Sequence, residues 1–270
     1  MPKASVNGIE MFYKVRGHGE PLVMIMGLGA GHLSWFFQIL AFKRHYRVVT
    51  FDNRGIGKTS RPSESYTIRT MADDTVSLMD HLGIGSAHVL GMSMGGMIAA
   101  EIAVNYPNRV RKLVLASTPT GRGETGDAPS EVLSALGLGE DDCGRIDLKG
   151  LESRTLLDSV NSTAFNKRLF RLLALPVVRV YMRQVGGEGA VRQFEACLYH
   201  RTLDRLHLIT APTLVMTGTD DRTVPPSCSE AISSHIPGAR LVKLEGGSHT
   251  LIAEMRRRFN REVLEFLRDN

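Results

Sequence analysis

Ser93 stands in Gly91-Met92-Ser93-Met94-Gly95-Gly96, between a short apolar run and a segment of helical period. A serine at the tip of a sharp strand-to-helix turn exposes its Oγ at the cost of backbone strain. Side chains two places before and after would collide at such a turn, which gives Gly91 and Gly95 a steric reason. The helix beginning near Met94 points unpaired N–H groups at charge developing on an attacked carbonyl. A plain small-residue turn could carry the same letters, so the partners decide the reading. Serine is a poor nucleophile at neutral pH and needs a base. Of nine histidines, His249 stands out, in the loop Gly246-Gly247-Ser248-His249 that follows the strand-like Leu241–Leu244. His32 is a weaker rival that could line the pocket, and His88, at the start of the strand before Ser93, reads as structural. An acid must then fix the imidazole tautomer and stabilise its cation. Asp220 and Asp221 both follow the apolar run Thr213–Thr217, and either suits that role; one of them could instead cap the helix near Pro226. The two amides of an oxyanion hole are assigned to Met94 and, in the glycine-rich loop Gly27-Leu28-Gly29-Ala30, to Leu28, with Ala30 as the lesser choice.

These residues need a scaffold that gathers loop ends. Glu10–Arg16 reads as an edge or hairpin strand. Leu22 to Met26 is apolar throughout, as in a central strand covered on both faces. Leu33–Phe42 reads as helix and Tyr46–Phe51 as strand. Over Thr67–Leu82, residues Ile68, Met71 or Ala72, Val76, Met79 and Leu82 form one apolar stripe, with Asp73, Asp74 and Asp80 assigned elsewhere. His88–Leu90 and Val110–Ala116 read as strands, with a helix over Met97–Tyr106 between them. Gly121–Arg205 then breaks the alternation with glycine-rich, acidic and helical segments (Leu151–Val160, Phe165–Val180, Ala190–Leu203). The pattern resumes with strand Thr213–Thr217, helix Ser229–His235, strand Leu241–Leu244 and a last helix from Met255. Strands alternating with helices indicate an α/β fold with a mostly parallel sheet and helices on both faces. The expected division is 1–120 with 206–270 as core and 121–205 as a mainly helical insertion.

The chain has 270 residues, 43% hydrophobic and 23% charged, an ordinary globular balance with enough length for one large domain. Its apolar runs are too short to span a membrane. The amino end lacks the apolar segment of a secretory signal, so a cytoplasmic protein is expected. Cys143, Cys197 and Cys228 have no metal-ligand spacing and are expected as thiols. A net charge of +5 permits weak attraction to polyanions. Without zinc-finger spacing, an aromatic RNA-binding motif or a dense basic patch, it does not indicate nucleic-acid binding. Arg256, Arg257 and Arg258 read as a solvated helix face. Gly55-Ile56-Gly57-Lys58-Thr59 matches a phosphate loop only at its end, because Asp52 stands where the first glycine belongs. The sequence does not set the oligomeric state; a homodimer is compatible with it.

Over Glu10–Ala116 and Ala211–Phe266 the sequence resembles the α/β-hydrolase fold family, in its capped esterase, lactonase and cofactor-free haloperoxidase-like branch. The segment Gly218 with Asp221-Arg222-Thr223-Val224-Pro225 matches the family's acid position, which implies Asp221 rather than Asp220. Gly246-Gly247-Ser248-His249 matches its histidine loop. The family's Asp-x-Arg-Gly-x-Gly-x-Ser appears as Asp52 to Thr59, with Thr in the last place, and Asp52 and Arg54 are expected to stabilise that turn. One departure is Met26-Gly27 where many members have His-Gly, which touches loop packing more than reaction. Relatives with an Asp nucleophile are disfavoured by Ser93. The resemblance implies a hydrolase fold with an inserted helical cap and a catalytic set of Ser93, Asp221 and His249. It implies no metal or organic cofactor.

The expected substrate is a small carboxylic ester or lactone, cleaved through an acyl-enzyme. Hydrolysis of a carbon–carbon bond in a diketone-like substrate uses the same three residues and is the rival reaction. A non-catalytic small-molecule receptor on the same scaffold is the rival class. Substrate choice is expected in the insertion. Its half Phe165–Arg205 holds eight Lys or Arg against three Asp or Glu, either as a solvated surface or with one inward arginine, such as Arg179 or Arg183, selecting a carboxylate. Trp35 and Met92 either wall an apolar acyl pocket or pack in the core.

Overall fold

A computed structural model describes residues 2–121 and 188–269. The expected helices Leu151–Val160 and Phe165–Val180 lie outside the described residues, as do Arg179, Arg183 and Cys143. Eight strands form one sheet: β1 (Lys3–Val6), β2 (Ile9–Arg16), β3 (Pro21–Ile25), β4 (Arg47–Phe51), β5 (Ala87–Met92), β6 (Val110–Ala116), β7 (Thr213–Gly218) and β8 (Arg240–Leu244). Their order is β1-β2-β4-β3-β5-β6-β7-β8. The β1–β2 and β2–β4 pairs are antiparallel, and every pair from β4 through β3 to β8 is parallel. This is the α/β-hydrolase fold.

Alternation along each parallel strand divides the core between two faces. Val23, Ile25, Val89, Leu113, Leu115 and Val215 join one buried cluster. Leu22, Met24, Leu90, Val114, Leu214 and Met216 join the other. Burial on both sides is why these strands read as unbroken apolar runs. The first face is covered by α2 (Ile68–His81) and α3 (Met94–Asn105). The second is covered by α1 (Phe36–Phe42) and the helix near the end of the chain, whose Phe259, Val263 and Leu267 sink into it. A hydroxyl cap starts α2: Thr67 Oγ1 accepts the Thr70 N–H at 3.1 Å. Helix α3 is apolar or small except for Glu101, which Arg205 pairs, and Asn105, and it is buried from Met94 to Ala103, as a helix against the sheet centre must be.

Several expectations need correction. The expected helix Leu33–Phe42 opens as a tight 3-10 turn, His32–Trp35, before α1 proper. Of the two expectations for β2 the hairpin holds and the edge does not, because β1, unforeseen in the sequence, pairs antiparallel outside it. The last helix, α7 (Arg256–Arg268), begins where expected, after a short and unforeseen α6 (Leu251–Glu254), and α5 (Pro226–His235) begins earlier than expected. Of the expected insertion, the described part includes α4 (Glu188–Leu198) and a 3-10 turn, Leu203–Leu208. Asp74, assigned away from the buried stripe, is itself buried, because Arg54 reaches it with Nε at 2.8 Å and Nη2 at 2.6 Å. A charge so paired can leave water. Among the described residues no helix is long and apolar enough to cross a membrane.

Candidate active site

Parallel strands bring their carboxyl ends to one edge, and the loops after β3, β5, β7 and β8 meet there. Ser93 follows β5 directly, with φ 54° and ψ −127°. That region is costly for a side chain with a Cβ and persists only when neighbours enforce it. Here the Ser93 amide donates to the Ala116 carbonyl at 2.9 Å. Its own carbonyl accepts Thr118 Oγ1 at 2.8 Å and the Gly96 N–H at 2.8 Å. The steric reading of the two glycines holds: a Cβ on Gly91 would overlap the Gly95 carbonyl, and one on Gly95 would overlap that of Ile25.

His249 Nε2 lies 3.1 Å from Ser93 Oγ. Its Nδ1 lies 2.9 Å from Asp221 Oδ2. An ionised carboxylate only accepts, so Nδ1–H donates to Asp221 and the bare Nε2 accepts the Ser93 hydroxyl proton. The Asp221 side chain is fully buried, whereas Asp220 is exposed and receives the Thr219 hydroxyl at 3.3 Å. Asp221 Oδ1 also accepts the N–H groups of Thr223 at 3.0 Å and Val224 at 2.8 Å. Those two bonds fix its carboxylate in plane. Neither aspartate side chain caps α5; its N-cap is Pro225, without a side-chain bond.

The acid and base loops are laced together. Gly246 N–H donates to Thr219 Oγ1 at 2.8 Å, and Asp220 N–H donates to the Gly247 carbonyl at 2.9 Å. Glu254, which the sequence reading missed, clamps both neighbours of His249: it accepts Ser248 Oγ at 2.7 Å and Thr250 Oγ1 at 2.9 Å. Two hydroxyl residues flanking a histidine, with a glutamate one helical turn further, were the available signal.

The loop after β3 lies against the elbow. A Cβ on Gly27 would stand 3.0 Å from Ser93 Cβ and 3.5 Å from Oγ. Leu28, the next residue, is partly exposed, and Met94 N is the first amide of α3, where no carbonyl of its own helix can take it. Trp35 and Met92 sit in the second buried cluster with Met26, Leu90 and Phe42, at 0% and 3% exposure. His32 is likewise occupied elsewhere. Its Nδ1 is 2.7 Å from Asp52 Oδ1, and its ring packs on Phe12 with centroids 4.8 Å apart. Burial alone would raise the Asp52 carboxyl, but hydrogen bonds from the His32 ring and from the His32 and Lys58 amides outweigh it and hold the group below the usual carboxylate range. Asp52 and Arg54 therefore stabilise their turns, as expected.

Away from Ser93, a cavity of about 440 Å³ is lined by Tyr66, Arg69, Glu101, His200 and Arg205 among others. There burial pushes the His200 imidazole down to about 4, beside a buried Glu101 whose Oε1 is 3.7 Å from His200 Nδ1. The Cys197 thiol is pushed up to about 12 by burial and is chemically quiet. Cys197 and Cys228 are buried and form no disulfide with each other. No three His, Cys, Asp or Glu side chains gather as a metal site among the described residues.

Comparison with known proteins agrees with this fold. A family model described as alpha/beta hydrolase fold matches residues 20–254. The crystal structure of an enol-lactonase from Burkholderia xenovorans LB400 is similar at 27% identity and TM-score 0.86, over 99% of this chain and 100% of that one. A meta-cleavage product hydrolase from Pseudomonas fluorescens IP01 is similar at 25% identity and TM-score 0.79, over 99% and 97%. A protein of Azorhizobium caulinodans bearing the name carbamate hydrolase RutD is 26% identical over 269 residues, 98% of either chain.

Proposed function

This chain belongs to the alpha/beta hydrolase fold family, and from that premise we propose that it is a serine hydrolase cleaving a small carboxylic ester or lactone through an acyl-enzyme on Ser93. The observation that carries the reading is the continuous relay from Ser93 Oγ through His249 to a buried Asp221, with contacts of 3.1 and 2.9 Å. His249 Nε2 takes the hydroxyl proton as Oγ attacks the substrate carbonyl. The Leu28 and Met94 amides receive the negative charge on the carbonyl oxygen. Collapse of that intermediate breaks the bond to the alkoxide, which leaves with the proton held by His249. Water then repeats the sequence on the acyl carbon, losing a proton to His249 and releasing the acid. The side chains of the chain itself supply every proton transfer. The insertion, 121–205, is assigned the choice of substrate, in keeping with α4 seated beside the β3 loop.

The likeness to a meta-cleavage product hydrolase favours a second reading, hydrolysis of a carbon–carbon bond by the same relay. Relative turnover of p-nitrophenyl acetate, a five-membered lactone, a carbamate and a vinylogous ring-cleavage product separates the two. The reading itself is tested with a fluorophosphonate. Intact-mass measurement should find one adduct on the wild-type protein and none on Ser93→Ala, whose circular dichroism should match the wild type. Adduct formation or ester turnover retained by Ser93→Ala would reject the nucleophile. A folded, unlabelled wild-type protein that binds a lactone tightly would make it a receptor.

A further inference from the structure

Gln193 lies on α4, in the part of the chain assigned to the insertion, yet its side chain is buried and both ends of its amide are spent on the core. Oε1 accepts the Gly29 N–H at 2.9 Å, and Nε2 donates to the Arg54 carbonyl at 2.8 Å. One turn earlier, Gly189 abuts the same Arg54–Gly55 segment: a Cβ there would lie 2.9 Å from Gly55 Cα and overlap its carbonyl. The Tyr66 hydroxyl sits between the carbonyls of Arg54 at 3.3 Å and Gly189 at 3.2 Å, and Ser65 Oγ donates to Glu195 at 3.1 Å. Helix α4 is thereby seated on two core loops at once, and Gln193 is the side chain that joins them.

Gly29 is the third residue of a tight turn, Gly27–Ala30, closed by the Ala30 N–H donating to the Gly27 carbonyl at 3.2 Å. Its φ of +67° is the value that a type II turn needs at that place. The Leu28 N–H shares a planar trans peptide with the Gly27 carbonyl and points the opposite way. Closure of the turn therefore aims the Leu28 donor. The N–H of the next peptide, between Leu28 and Gly29, is the group that Gln193 holds. Without that acceptor the Gly29 N–H is a buried donor seeking a partner, and the whole turn, the Gly27–Leu28 peptide included, must shift to reach one.

We infer that Gln193 is a positioning residue: by holding the Gly29 amide it locks the oxyanion loop, so the seating of the insertion's last helix sets the aim of the Leu28 donor. This rests on the reading of Ser93 as nucleophile and Leu28 as donor. Gln193→Met keeps length and volume and removes both hydrogen bonds. Gln193→Glu keeps an acceptor for Gly29 and, held protonated by burial, a donor for Arg54.

Loss of a whole oxyanion donor costs about 100- to 1,000-fold in kcat, so a loosened one should cost about 10- to 100-fold. Gln193→Met should lose that much kcat on p-nitrophenyl acetate, with KM within about twofold, and its two unpaired backbone groups should lower the melting temperature by several degrees without unfolding the protein at 25 °C. Inhibition by phenylboronic acid, whose tetrahedral adduct needs the same donors, should weaken in step. Gln193→Glu should recover most of both. By NMR hydrogen exchange, the Gly29 amide should be protected in the wild type and the Glu variant and unprotected in the Met variant.

An unprotected Gly29 amide in the wild type, undiminished kcat in Gln193→Met, or Met and Glu variants falling alike with their melting temperatures would each overturn the positioning role. A wild-type protein that neither turns over esters nor takes the fluorophosphonate would instead bring down the functional reading, and the catalytic part of this inference with it.

Discussion

Replacing Asp221 by Asn changes one atom and should nearly abolish catalysis, for a reason visible in its hydrogen bonds. Asp221 Oδ1 accepts two backbone N–H groups, from Thr223 and Val224, and Oδ2 accepts His249 Nδ1–H. An asparagine has one oxygen, and two backbone donors compete for it against a single imidazole. Turning the amide the other way would aim its NH2 at both backbone N–H groups, leaving two buried donors unsatisfied at about 1–3 kcal/mol each. The oxygen therefore stays with the backbone and the NH2 faces His249. The imidazole must then present a bare Nδ1, which moves its proton to Nε2, opposite the Ser93 hydroxyl, where it cannot act as a base. A tautomer bias of about 3 kcal/mol leaves roughly one imidazole in a hundred competent, and losing the carboxylate beside the developing imidazolium multiplies the deficit by about as much again, for about 10,000-fold in kcat. Stopped-flow and steady-state hydrolysis of p-nitrophenyl acetate measure it, with the exposed Asp220→Asn as the paired control, expected within about twofold of wild type. Asp221→Asn within tenfold of wild type, or Asp220→Asn as the more damaged variant, would refute the tautomer argument and the assignment of the acid.

Gly27→Ala places a methyl 3.0 Å from Ser93 Cβ and 3.5 Å from Oγ. It should crowd the attacked carbonyl and lower kcat by about tenfold or more, the scale on which misplaced reacting groups cost rate, with little change in melting temperature; an unchanged kcat would separate the β3 loop from the site. His200, neutral in the fold and pushed down to about 4 by burial, should make the protein acid-sensitive. Because its folded value lies below the unfolded value of 6.5, the unfolded chain binds more protons between the two. Stability should therefore fall as pH drops from 7 to 5, by roughly 2 kcal/mol from this group. Urea titrations at both pH values should show that loss, and His200→Gln should diminish it; an undiminished loss would put the acid sensitivity elsewhere.

Much of the proposed site was legible in the residues alone because Ser93, Asp221 and His249 each follow a strand with a local signature. Gly91 is dictated by a collision within six residues, whereas Gly95 answers to the Ile25 carbonyl of the neighbouring strand; the apolar runs of β3, β5 and β7 announce burial on both faces, since a strand's environment is written into its own side chains. Asp221 over Asp220 needed the family resemblance, and the fold supplies the physical ground: one carboxylate is buried under two backbone amides, the other faces water. Asp74 and Gln193 stayed illegible for a common reason. Each is a polar side chain whose partner lies on a different element, such as Gly29 for Gln193, 164 residues away. A local pattern assigns such residues to the surface. Only packing reveals that they are buried and paired. Trp35 shows the same division: its type marks it for a buried apolar place, but whether that place was pocket wall or core depended on where the second face of the sheet closed over it. Sequence determined which groups can react and in which order the chain carries them; tertiary structure decided which groups hold them still, because that depends on contacts between elements with no period in common.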